Sequence, residues 1–249
     1  GFIYLGVFFL ILSAFSFLHI IYSYYFNLYL NIDSYIYLLI ISLVFGASFF
    51  YKKKEEKKIT IFEKIFVVLV GYLIIPLFIA TPYYLSIYNI TFLDCYFEAI
   101  SGFTSTGFSI FNNIKHLDES LILWRSSSQW IGGIYFLFSI ILLIDVFDEN
   151  LKKSLTNFLT FNTSEILKQL FKILFLYTFL TFFIFIVLKL INIRTFDSFN
   201  ISMTIISSGG FLPVNDIDKI LNTNLKEIIF SLLLLLSFFS LFLTYNLIF

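Results

Sequence analysis

Asp94-Cys95-Tyr96-Phe97-Glu98-Ala99-Ile100-Ser101-Gly102-Phe103-Thr104-Ser105-Thr106-Gly107-Phe108-Ser109 is the stretch whose reading decides the fold. Its first half has the composition of a short helix opened by an aspartate. Its second half is a small, hydroxyl-rich run punctuated by glycine. Apolar segments long enough to cross a bilayer flank it, at residues 59–87 and 121–147. The stretch between them is too short, and too polar at its end, to be a further crossing. Irregular backbone at membrane depth is tolerated only where protein buries it or where it lines a watery cavity. The stretch therefore reads as a re-entrant pore loop that enters as a helix and returns to the side it came from.

Composition agrees with a membrane setting. The 249 residues are 59% hydrophobic and 13% charged, against roughly 45–50% and about 25% in soluble domains. Sixteen basic residues balance sixteen acidic ones, so no electrostatic footprint for nucleic acid exists. Cys95 is the only cysteine, which excludes an internal disulfide and a thiolate metal cluster. His19 and His116 share no ligand spacing. Gly102 to Ser109 has the spacing of a phosphate-binding loop, but Phe108 stands where the lysine belongs and no strand precedes it. No Gly-x-Ser-x-Gly elbow is present. The chain is accordingly expected not to be an enzyme and to hold no covalent cofactor.

Six apolar runs are long enough to count as spans, at residues 2–28, 35–51, 59–87, 121–147, 166–191 and 225–249. The second is short, which suggests little tilt or a partly interfacial position. The expected fold is an all-α integral membrane protein of repeated helix, re-entrant pore loop and helix units, with about six transmembrane helices plus two short pore helices. Lys52-Lys53-Lys54-Glu55-Glu56-Lys57-Lys58 is the densest charge cluster, and short lysine-rich loops stay on the cytoplasmic side. That places the N-terminus in the cytoplasm, residues 148–165 inside and the Asp94 region outside. Asp94, Glu98, Asp118, Glu119, Asp197, Asp216 and Asp218 then lie on the outer side, where ordinary solvation or a cation-concentrating field accounts for them.

A second loop repeats the first. Asp197-Ser-Phe-Asn-Ile-Ser-Met-Thr-Ile-Ile-Ser-Ser-Gly209-Gly210-Phe211 again runs from an aspartate through about three turns of helix to small hydroxyl residues and glycine. Asp94 precedes Gly107 by 13 positions and Asp197 precedes Gly209 by 12. The chain divides into a two-helix lead-in (1–58), a first helix-loop-helix unit (59–160) and a second (161–249). Asp94, with Thr91 just before it, is expected to cap the first short helix, whose negative C-terminal end would face the membrane interior and favour a cation. Thr104, Ser105, Thr106 and Gly107 in one loop, and Ser207, Ser208, Gly209 and Gly210 in the other, offer carbonyl and hydroxyl oxygens of the kind that replace the hydration shell of an alkali ion. Gly107 and Gly209 are expected to supply the backbone angles that aim those carbonyls. The plainer alternative is that the small residues only let helices pack closely.

Ser101-Gly102-Phe103-Thr104-Ser105-Thr106-Gly107 resembles the first filter segment of the TrkH and KtrB potassium-uptake family, which runs Ser-Gly-x-Thr-Thr-Thr-Gly. Phe97-Glu98 looks like that family's pore helix. Arg125 followed by Gln129-Trp130-Ile131-Gly132-Gly133 is similar to its Arg, three residues, Gln-Trp-x-Gly-Gly element, and Gly209-Gly210-Phe211 to its second filter ending. Ser105 replaces the middle threonine, and Ser207, Ser208 and Leu212 depart from the commoner residues. Gly132 and Gly133 would let their helix approach a pore helix; Arg125 would anchor the membrane interface or pair with an outer carboxylate such as Glu98. The resemblance implies a potassium-channel-like fold, potassium as the transported ion, bound at the eight filter residues, coupled transport (symport), a bacterial inner-membrane location among lipid, a homodimer, and a cytoplasmic nucleotide-binding regulatory subunit. It also implies four helix-loop-helix units. Two are here, so the chain is expected to be the N-terminal half, a fragment, of a longer protein. A different class, a non-transporting membrane sensor or assembly protein that keeps the pore-loop scaffold, fits the same residues.

Overall fold

The structure, a computed structural model, describes residues 3–51, 61–143 and 166–238. Every regular element among them is helical. α1 (Ile3–Tyr25) and α2 (Ile32–Tyr51) form a hairpin. The first unit is α3 (Ile61–Ile79), the single turn α4 (Thr81–Tyr84), the short helix α5 (Phe92–Phe103) and α6 (Glu119–Leu143). The second is α7 (Ile166–Leu190), the short helix α8 (Thr195–Ile206) and α9 (Asn224–Phe238). The lysine-rich run 52–58 and the loop 148–165, on which the inside-outside assignment rests, fall outside the described residues.

Among the described residues four helices are long and apolar enough to cross a membrane, over Tyr4–Tyr25, Tyr29–Phe49, Phe62–Tyr84 and Phe171–Leu190. The sequence suggests six. The second crossing is not short, because it starts at Tyr29 and runs for 21 residues. α6 has 25 residues, but Arg125-Ser126-Ser127-Ser128-Gln129 lowers its apolarity. That run is buried inside the protein, each residue 0–1% exposed, so protein and not lipid meets its polar groups, as a bilayer requires. α9 is described over 15 residues.

α6 is the axis on which the rest packs. Trp124 Nε1 donates to the Ile79 carbonyl at the end of α3 (3.0 Å). Ser126 Oγ donates to Asn200 Oδ1 of α8 (2.7 Å) and Trp130 Nε1 to Thr181 Oγ1 of α7 (3.0 Å). Bonds of this kind between membrane helices each contribute roughly 0.6–2 kcal/mol. The lead-in hairpin leans on the same helix through aromatic contacts: Phe8 lies edge-on to Tyr135 (4.8 Å) and Phe138 (5.0 Å). His19, fully buried on α1, packs edge-on to Trp124 at 5.0 Å, so it belongs to the core. Among the described residues no group of His, Cys, Asp and Glu could hold a metal.

Gly71 marks where α3 meets α6. A Cβ there would lie 1.8 Å from the Tyr135 hydroxyl and 2.8 Å from Leu5 Cδ2, and that hydroxyl donates to the Val68 carbonyl at 2.9 Å. Gly71→Val should therefore displace Tyr135 and break its bond, at a cost of about 1–3 kcal/mol for overpacking. Thermal unfolding in detergent checks this: the variant should melt below the wild type, and an unchanged melting temperature would contradict the contact.

Candidate functional site

α5 and α8 are each 12 residues long with an aspartate at the third position. Thr91, not Asp94, is the N-cap of α5: its hydroxyl accepts from the Asp94 amide (3.3 Å) and donates to Asp94 Oδ2 (2.6 Å). The capping expectation for Asp94 is corrected accordingly, since a cap precedes the first helical residue and Asp94 lies inside the first turn. At α8 the N-cap is Arg194, without a side-chain cap bond. Burial pushes the Asp197 carboxyl above its ordinary range, and the Arg194 charge opposes it.

The two loops match residue for residue at an offset of 103. Ser105 N donates to the Gly102 carbonyl and Thr106 N to the Ser101 carbonyl (both 2.9 Å); Ser208 N donates to Ile205 (2.9 Å) and Gly209 N to Thr204 (2.8 Å). This is the paired closure of a helix C-terminus around a left-handed residue, here serine in both copies: Ser105 at φ +55° and Ser208 at φ +53°. One hydroxyl in each copy reaches across its loop. Ser101 Oγ donates to the Phe108 carbonyl (2.6 Å), and Thr204 Oγ1 to the Phe211 carbonyl (3.0 Å).

The match shifts the register expected for the glycines. The counterpart of Gly107 (φ +82°) is Gly210 (φ +131°), and Gly209 corresponds to Thr106. The left-handed freedom of glycine is thus used at Gly107 and Gly210. Gly209 is small for another reason: a Cβ there would lie 2.3 Å from Gln129 Cδ and Oε1. The loops also touch. A Cβ on Gly107 would lie 3.0 Å from the Gly209 carbonyl oxygen and 3.3 Å from Gly210 Cα.

Both loops turn near the middle of α6. A Cβ on Gly132 would lie 1.9 Å from the Phe103 carbonyl oxygen at the end of α5, and one on Gly133 would lie 2.3 Å from the Tyr177 hydroxyl and 3.1 Å from Ser207 Cβ at the end of α8. The two glycines therefore each receive one short helix, and Gly132 is the fourteenth of 25 residues in α6, roughly 20 Å along it at 1.5 Å per residue. That depth is what a re-entrant segment needs.

Of the eight expected filter residues, Thr104, Thr106, Ser208 and Gly210 are exposed, Ser105, Gly107 and Gly209 partly so, and Ser207 is buried. The Thr104 hydroxyl donates back to the Ile100 carbonyl (2.8 Å), and the Ser207 hydroxyl to those of Met203 (2.9 Å) and Thr204 (3.0 Å). Donating in this way ties the side chains to the helix ends and leaves each hydroxyl oxygen its lone pairs.

Arg125 is no interface anchor. Its guanidinium is buried against Glu98, Nε to Oε1 at 2.8 Å with side chains 2% and 0% exposed. Nη2 donates to Ser109 Oγ (2.9 Å) and Nη1 to the Leu212 carbonyl (3.3 Å). Glu98 also accepts from Ser109 Oγ (3.0 Å) and the Ile110 amide (2.9 Å). Glu119 pairs with Arg194 (2.6 Å) and Asp216 with Lys219. Three of the seven acidic groups assigned to an outer field are therefore already matched. Sequence reasoning missed Asn215, whose Oδ1 accepts from the Ile114 amide (2.8 Å) and whose Nδ2 donates to Asn113 Oδ1 (2.8 Å). Nothing local in the sequence singles it out.

Two substitutions test this geometry. Gly132→Ala presses a methyl on α5 backbone that cannot rotate away, and should cost about 3 kcal/mol. Glu98→Gln leaves the Arg125 charge buried without its partner, and should cost about 3–5 kcal/mol. Unfolding in detergent reads both; wild-type stability in either variant would contradict the corresponding contact.

The comparisons with known proteins agree with this architecture. A family model described as TrkH, cation transport protein, matches residues 33–242. An uncharacterized cation transporter of Methanocaldococcus jannaschii is 28% identical over 211 residues, covering 78% of this chain and 43% of the relative. The Trk system potassium uptake protein TrkG of Escherichia coli is 26% identical over 90 residues, covering 36% of this chain and 19% of that protein. The crystal structure of the potassium transporter TrkH from Vibrio parahaemolyticus superposes with a TM-score of 0.65 at 20% identity, covering 84% of this chain and 43% of that one. The chain thus spans less than half the length of these proteins.

Proposed function

The chain belongs to the TrkH cation transport protein family, and from that premise we propose that it takes part in potassium uptake across the bacterial inner membrane, through a selectivity filter of backbone carbonyls. The observation that carries this reading is the residue-for-residue match of the two loops where they meet. Two helix C-termini, at Phe103 and Ile206, end at the same depth on α6. Their negative dipole ends favour a cation there. Beyond them, Thr104 to Gly107 and Ser207 to Gly210 present the carbonyls that would take over from the hydration shell of the ion.

Two units supply part of such a ring, and the resemblance to four-unit proteins implies two more. In this reading residues 1–58 are a lead-in pair, 59–160 and 161–249 are the two units, and six helices span the membrane. The lysine-rich run 52–58 and the N-terminus lie in the cytoplasm. The assembly is a homodimer with a cytoplasmic nucleotide-binding regulatory subunit, and the ion moves by symport. Trk system proteins among the relatives are named for potassium uptake, which favours potassium over other cations.

The test uses the complete gene product in a bacterial strain deficient in potassium uptake. The wild type should restore growth at limiting potassium, and Gly107→Ser should lower uptake or abolish discrimination against sodium, because φ +82° strains any residue with a side chain. Failure of the wild type to restore growth would overturn the uptake reading. Unchanged uptake and selectivity in Gly107→Ser would overturn the filter role of that loop.

A further inference from the structure

The two loops differ in how they are held from behind. The first is tied by its own short helix, since Glu98 of α5 takes Ser109 and the Ile110 amide. At the 103-residue offset the second unit has Ile201 in place of Glu98 and Ile228 in place of Arg125, so the Glu98–Arg125 pair has no counterpart at these positions. Its outgoing segment hangs instead on α6 of the first unit. Arg125 Nη1 donates to the Leu212 carbonyl (3.3 Å), and the guanidinium lies 4.3 Å from the centre of the Phe211 ring. One turn further on, Gln129 Oε1 accepts from the Phe211 amide (3.3 Å). The Gln129 amide lies so close to Gly209 that a Cβ there would overlap it. Both side chains are buried, Arg125 at 1% and Gln129 at 0% exposure. Among the described residues Gln129 Nε2 is buried without a hydrogen-bond partner, a costly arrangement for a residue serving only as packing.

We propose that Arg125 and Gln129 are positioning residues for ion selectivity, which together set the spacing between the first and second loops. The inference rests on the filter reading above. Arg125 is bonded to both loops at once, through Ser109 on one side and Leu212 on the other. Gln129 fixes how far the second loop lies from α6. Discrimination among alkali ions depends on where carbonyl oxygens are held, so releasing these ties should alter selectivity before it alters the fold. Neither residue touches the ion.

The test is competitive uptake of potassium and sodium by the complete gene product in membrane vesicles, for Gln129→Met, Gln129→Asn and Arg125→Lys. Protein amount and melting temperature are measured alongside. Methionine matches the volume of glutamine without the acceptor, and asparagine is one methylene too short to reach Phe211. Lysine keeps a charge opposite Glu98 but cannot fork to Ser109 and Leu212. The potassium-to-sodium uptake ratio per molecule should fall about tenfold in each variant, the scale of one lost buried hydrogen bond, with protein amount preserved. A wild-type ratio in Gln129→Met overturns the proposal. So does a loss of protein and uptake in step across all three variants at an unchanged ratio, which is what a purely structural role produces. Unaltered transport in Gly107→Ser would instead remove the filter reading itself. An altered Gly107→Ser beside an unaltered Gln129→Met removes only the role given to Arg125 and Gln129.

Discussion

The contact between adjacent glycines of α6 and the ends of two short helices is the constraint from which the rest follows. A Cβ at residue 132 would lie 1.9 Å from a backbone oxygen of α5, and one at 133 would press on Tyr177 and Ser207. Without side chains at these two positions, α5 and α8 can end at the same depth on one helix. Their C-termini then fall together, and the loops that follow are brought to contact at Gly107, Gly209 and Gly210. In a bilayer this also settles where the irregular backbone can go, because it needs protein around it or a watery cavity in front of it. Close approach between membrane helices is commonly built on small residues, and here it serves two partners from consecutive positions.

Burying polar groups in α6 follows from the same arrangement. A helix lodged between two short helices has no lipid-facing surface along that side, so Arg125 to Gln129 can carry five polar residues in a row. Each must then be satisfied by protein, and most are: Arg125 by Glu98, Ser126 by Asn200, Ser127 by the Leu123 carbonyl, and Ser128 by the Arg125 carbonyl. Replacing a buried charge pair by apolar residues is often neutral or stabilising, so stability alone does not explain why the first unit holds Glu98 and Arg125. Arg125 bonds to both loops and Glu98 to the first, which ties the pair to the geometry of the loops.

The internal repeat is close but unequal. The helix closure, the serine in the left-handed region and the reaching hydroxyl recur at an offset of 103, while the charge pair does not. The second unit therefore depends on the first for its support. The fold match to a solved potassium transporter places this chain in the same architecture.

The sequence by itself determined the helical membrane class, the existence of two glycine-centred loops, and the family. Those signals are local: apolar runs, a short polar interruption, and a few glycines and hydroxyls within a dozen residues. The pairing of Arg125 with Glu98 was one of two readings open from the sequence. Only the tertiary structure decided between them. It also decided that Gly210 and not Gly209 mirrors Gly107, that Thr91 and not Asp94 caps α5, and that Gln129 lies behind the second loop. The ties from α6 to the second loop join residues 82 and 87 positions apart. No local pattern encodes a contact of that span, because its partners become neighbours only when two short helices end on the same pair of glycines.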